Sequence, residues 1–94
     1  MYFIINFDVK DGGREEKFLQ TAKDMGDALQ FLPNSLLMYF EDGISHTKDS
    51  IYEHLKKVLN DDDLIFVCKV SFSDMAGWLT SSTIKWLSDH NKKP

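Results

Sequence analysis

The chain has a single cysteine, Cys68, in 94 residues. No internal disulfide can form, so the fold must rest on its own core, and one thiol suits a reducing compartment such as the cytoplasm. Cys68 lies in an apolar run and reads as a small buried hydrophobe. Long apolar runs are also missing. No stretch approaches the roughly 18 residues that a membrane-spanning helix needs. The first residues carry neither a basic lead nor a small-residue cleavage site, so neither a signal peptide nor a membrane partner is expected. A basic excess is missing too: 11 Lys and Arg stand against 15 Asp and Glu, a formal charge of −4. Nucleic-acid binders usually carry a basic excess or stripe. Here the densest basic points are the pairs Lys56-Lys57 and Lys92-Lys93, which argues against tight, general binding of nucleic acid. No repeat or low-complexity segment occurs, and only residues 91–94 read as linker-like. The length fits one domain. Surface scaling predicts that about 65% of the chain's surface is buried, enough for one core.

What is present is an orderly alternation of strand and helix signals. Residues 2–9 read as a strand, with Phe3, Ile5, Phe7 and Val9 on one face and Tyr2, Ile4, Asn6 and Asp8 on the other. Residues 10–13 form a loop punctuated by two glycines. Residues 14–25 predict a helix with Phe18, Leu19, Ala22 and Met25 in one apolar stripe, closed by Gly26 as a left-handed cap. Residues 27–32 and 35–41 predict two strands joined through Leu32-Pro33-Asn34-Ser35, a tight turn, with Glu41-Asp42-Gly43 ending the hairpin. Thr47 caps a second helix over 48–59, whose Ile51, Leu55, Val58 and Leu59 share a face. Residues 64–72 predict the last strand. Residues 73–94 form a tail holding Trp78, Leu79, Ile84, Trp86 and Leu87, with Ser82 able to cap a short helix. The order βαββαβ predicts an α+β, ferredoxin-like domain over residues 1–94: a four-stranded antiparallel sheet with two helices on one face, plus a C-terminal helical tail. The other face must be covered by the tail or by a second copy of the chain, or be solvated.

Several of these segments resemble a known family, the small CRISPR-associated adaptation proteins of the Cas-two type and more closely their bacterial relatives labelled SinR-like. The likeness is carried by Phe7-Asp8-Val9-Lys10 at the end of the first strand, the Gly26-Asp27 step, the Leu32-Pro33-Asn34-Ser35 turn, the acidic entry Asp61-Asp62-Asp63 to the last strand, and Gly77-Trp78-Leu79 and Trp86-Leu87 near the end. The resemblance implies a ferredoxin-like fold and a homodimer joined through the open sheet faces. In the CRISPR-associated branch it also implies a strand-end aspartate at the dimer interface, able to hold a divalent metal for phosphodiester cleavage. Only Asp8 carries over. The chain departs from its SinR-like relatives at Ala28 and Leu29, where they commonly have aromatics, and from duplex-binding subunits in its acidic balance.

Asp8 is therefore the candidate catalytic and metal-binding residue, with Mg²⁺ or Mn²⁺ as the implied ion, since hard cations prefer oxygen ligands. Two copies about 6 Å apart would repel by about 3 kcal/mol at an effective dielectric near 20, so a metal, a proton or a lysine must offset them. Against that role stands a structural one, in which Asp8 caps the loop over 10–13 or pairs with Lys10 or Arg14. Asn6 shares the face of Asp8 and reads as a buried cross-sheet hydrogen bond. Gly12-Gly13-Arg14 opens a helix but lacks the Gly-Lys-Ser/Thr ending of a phosphate loop. His46, His54 and His90 lack zinc spacing. Asp61-Asp62-Asp63 lacks calcium-loop spacing and reads as a solvated turn. Ser35, Ser81, Ser82 and Cys68 offer no nucleophile with a base in register. Trp78 and Trp86 can stack on bases or cover the core or a dimer seam. Two readings follow: a homodimeric SinR-like interaction or accessory module without catalysis of its own, and, as the alternative, a metal-dependent endonuclease acting through Asp8 on RNA or DNA. Composition favours the first.

Overall fold

The apolar alternation of the first strand sets the plan of the molecule. In the computed structural model, which describes residues 1–41 and 46–91, β1 spans Tyr2–Asp8. It is followed by α1 (Gly12–Met25), β2 (Asp27–Leu32), β3 (Ser35–Tyr39), α2 (Lys48–Lys56), β4 (Leu64–Val70), a short 3₁₀ turn (Phe72–Asp74) and α3 (Ser81–Asn91). The strands form one sheet in the order β2-β3-β1-β4, antiparallel throughout. This is the ferredoxin-like arrangement with an added C-terminal helix. The expected hairpin turn at Pro33-Asn34 is present, with a register irregularity between Gln30 and Leu32. Asp42, Gly43, Lys92 and Lys93 lie outside the described residues.

Local chemistry sets the helix ends. Asp11 caps α1 by accepting from the Arg14 N–H, so the helix starts at Gly12 rather than at 14. Thr47 and Ser50 form a reciprocal capping box at the start of α2. That helix closes at Lys56, and Val58 and Leu59 continue it only as i→i+3 turns. Thr80, rather than Ser82, caps α3 by accepting from the Thr83 N–H.

Gly26 is not a left-handed cap: its φ of −177° and ψ of −169° are extended. Glycine is needed there for space. A Cβ would stand 2.6 Å from the Phe40 ring, which is itself buried in the core. Gly26→Ala should cost about 1–3 kcal/mol in urea unfolding, because that ring must move. Gly12→Ala, with nothing within 4 Å of the added methyl, should change stability by less than about 0.5 kcal/mol.

The sheet separates two apolar clusters. Phe3, Ile5 and Phe7 of β1 meet Phe18 and Ala22 of α1, Ile51 and Leu55 of α2, and Leu36, Met38 and Phe40. Each large side chain buried here contributes roughly 1.5–3 kcal/mol. On the opposite face Tyr2 and Leu37 pack against Leu87 of α3, with Tyr39, Phe72, Met75, Leu79 and Trp86 around them. The tail thus folds back over the helix-free face.

Candidate functional site

Register divides the helix-free face into rows. The first row, Asp27–Tyr39–Tyr2–Val70, lies at one end of the sheet. The second is Leu29–Leu37–Ile4–Cys68, and the third is Leu32–Ser35–Asn6–Phe66. Asp8 and Leu64 pair beyond it.

The tail helix is tied to the first row. The Tyr2 hydroxyl donates to the Leu87 carbonyl and Trp86 Nε1 donates to Asp27 Oδ1. His90 meets the other oxygen of Asp27 and stacks on Tyr39 at 4.2 Å between ring centroids. Leu87 packs as far as Leu37 in the second row, and past that contact tail and sheet part. A cleft of about 640 Å³ opens between the strands and the tail, lined by Ile4, Phe31, Leu37, Val70, Met75 and Leu79 among others. A shallower hollow follows over Asn6, Asp8, Asn34, Ser35, Leu64 and Phe66. Ile4 lines the first depression and Asn6 the second, at successive positions on this face of β1. Leu64 and Phe66 at the outer end are each 62% exposed.

Asp8 lies at this outer end and its carboxylate pairs with Lys10. The carboxylate raises the Lys10 pKa through that hydrogen bond and through its charge. The ion pair with Lys10, one of the structural roles weighed for Asp8, is formed. Lys10 also lies within reach of the charges of Asp63 and Asp62, so the ammonium serves more than one carboxylate here. Among the described residues no three His, Cys, Asp or Glu side chains gather as a metal site. Asn6 accepts from the Ser35 hydroxyl across β1 and β3. That cross-sheet bond was expected, but Asn6 is exposed rather than buried, because the tail stops short of the third row.

Asp63 departs most from its expected role. It reads from sequence as part of a solvated acidic turn, yet its side chain is fully buried. One oxygen accepts from the Lys10 N–H (2.9 Å) and Arg14 Nη2 (3.1 Å). The other accepts from Arg14 Nε (2.9 Å) and the Asn60 N–H (2.8 Å). The Arg14 guanidinium, followed by the two backbone donors, holds this carboxyl far below the usual carboxylate range, against the effect of burial. Asp63 thereby joins the loop after β1, the first turn of α1 and the entry to β4. It fixes the backbone two residues beyond Asp8. Nothing in three consecutive aspartates says which one turns inward. The partner is a cation in the first turn of α1, Arg14, far away in the chain.

The remaining candidates fall into structural roles. The side chain of Asp11 occupies the N-terminus of α1, so the Gly12-Gly13 opening carries its own acceptor. His46 stacks on Phe40. Cys68 is half-buried in the second row. Trp86 covers the sheet, whereas Trp78 is 99% exposed.

Comparison with known proteins places the architecture among solved folds. The chain is similar in structure to a hypothetical protein from Thermus thermophilus. The TM-score is 0.60 at 14% sequence identity, over 84% of this chain and 93% of that one. At that identity the likeness is one of fold. No family model matches the chain, and no curated protein does. Among the described residues no helix is long and apolar enough to cross a membrane.

Proposed function

We propose that this chain is a SinR-like interaction or accessory module that forms a homodimer through the uncovered rows of its helix-free sheet face and has no catalysis of its own. The observation that carries this reading is the exposed apolar surface of that face, with Leu64 and Phe66 on β4 at the outer hollow and Leu32 on β2 at the cleft. Large apolar side chains gathered on one surface favour a protein partner. A second copy supplies a matching patch by symmetry, because a two-fold interface is self-complementary. The formal charge of −4 is modest enough for two copies to associate and gives no attraction for a phosphate backbone.

The alternative, a nuclease using Mg²⁺ or Mn²⁺ at Asp8, has one observation in its favour: Asp8 pairs with Leu64 at the edge of the same surface. Lys10 weighs against it by neutralising the carboxylate without a metal.

Sedimentation from micromolar to millimolar protein tests the first reading. The wild-type chain is expected to dimerise, and Phe66→Asp to remain a monomer with an unchanged far-ultraviolet spectrum, since Phe66 lies outside the helix-side core. A wild-type monomer at every concentration sinks the proposal. The same preparation, incubated with single-stranded RNA or double-stranded DNA and either metal, should leave both intact. Metal-dependent cleavage that Asp8→Asn abolishes would establish the nuclease instead.

A further inference from the structure

Trp78 is the most exposed large apolar side chain described, at 99%. None of the described residues covers it. The stretch between the 3₁₀ turn and α3 is extended at its start, with Met75 at φ −97° and ψ 139°. Successive side chains of an extended segment point to opposite sides. Leu79 packs inward against the sheet-face cluster, and the neighbouring indole projects outward. Both neighbours of Trp78, Gly77 and Leu79, line the mouth of the cleft between tail and sheet. The protein therefore carries an outward-facing indole on the rim of its own apolar cleft.

We infer that Trp78 of one copy seats in the cleft of a second copy, and the reverse, in a symmetric pair. The inference rests on the homodimer proposed above and names the contact that would hold it. A two-fold axis near the cleft mouth sets each rim against the other's opening, so one operation satisfies both indoles. The cleft, at about 640 Å³ with walls from Ile4, Phe31, Leu37 and Val70, has the size and lining of a site for a bulky apolar group. Area points the same way. A standard interface needs about 800 Å² from each partner, and the exposed parts of Leu64 and Phe66 supply only a fraction of that. An aromatic buries roughly 150–250 Å². Each copy gains from its own indole and again from the cleft walls that its partner's indole covers. Tryptophan in a desolvated pocket is also the commonest kind of interface anchor.

The test uses sedimentation and fluorescence on the full chain. Trp78→Ala should fold normally, by circular dichroism, because the indole touches little of its own monomer. Its dimer dissociation constant should rise at least about 100-fold, as two anchors are lost per dimer. In Trp86→Phe, Trp78 is the sole indole. Its emission should shift to the blue, and its quenching by acrylamide should fall, as protein concentration passes through the dimer transition. If the wild-type chain is monomeric throughout, this inference fails together with the dimer. If it dimerises and Trp78→Ala dimerises equally well, the indole contact alone is overturned. Shielding of Trp78 that follows added oligonucleotide and not protein concentration would also overturn it, in favour of base stacking.

Discussion

Asp63→Asn is expected to lower the thermal midpoint by more than about 10 °C, well beyond the effect of any exposed charge in the molecule. The carboxylate accepts four hydrogen bonds from Arg14, Lys10 and Asn60. The amide places an NH₂ group against some of these donors and leaves the half-buried guanidinium without its counter-charge. Arg14→Ala should cost less, because Asp63 keeps its two backbone donors and Arg14 is itself partly exposed. Acid should act through the same carboxylate. Its pKa is lower in the folded chain than in the unfolded one. The stability it supplies is therefore complete above the unfolded value, near pH 3.9 for an aspartate, and is lost as pH falls below it. Thermal midpoints measured between pH 7 and pH 2 should thus fall steeply below about pH 4 in the wild type and less steeply in Asp63→Asn. Equal slopes in the two proteins would remove Asp63 from the acid response.

Leu87→Asp should release α3 from the sheet while the helix-side core stays folded. Leu87 is buried against Tyr2 and Leu37, and none of the residues buried in the cluster under α1 and α2 belongs to α3. The substitution removes roughly 1.5–3 kcal/mol of apolar burial and sets a charge against the sheet face. Amide exchange across residues 81–91 should accelerate at least about tenfold, and Trp86 emission should move to the red. Amides of β1 and α2 should keep most of their protection. Equal loss of protection throughout would mean that the tail is part of one cooperative unit, and the picture of a cover over a separate core would fail.

The two predictions bear on different parts of the same surface. Asp63 fixes the backbone beneath Asp8 at its outer end, and α3 decides how much of the remainder is covered. The tail's polar anchors on Tyr2, Asp27 and Tyr39 are all in the first row, and its apolar contact reaches Leu37 in the second. The tail leaves the third row, with Phe66 and Asn6, open.

Much of this was legible in the residues. Alternation in β1 named Phe3, Ile5 and Phe7 as core, and the stripes of α1 and α2 named Phe18, Ala22, Ile51 and Leu55. These predictions hold because burial follows backbone period, which is local. Leu36 and Leu37 were interchangeable until the pairing of β3 with β1 assigned Leu37 to the tail side. Gly26 was marked by its place after a helix, but the reason for it came from Phe40, fourteen residues on, approaching from β3's far end.

The sequence by itself determined the strands, the helices and which face of each is apolar, since these depend on chemistry repeated along a few neighbouring residues. Only the tertiary structure decided that Asp63 and not Asp61 or Asp62 turns inward, and that one tryptophan covers the sheet while the other faces water. Each of those outcomes turns on groups far apart in the chain, or on which way a backbone carries a side chain, and no local pattern records either.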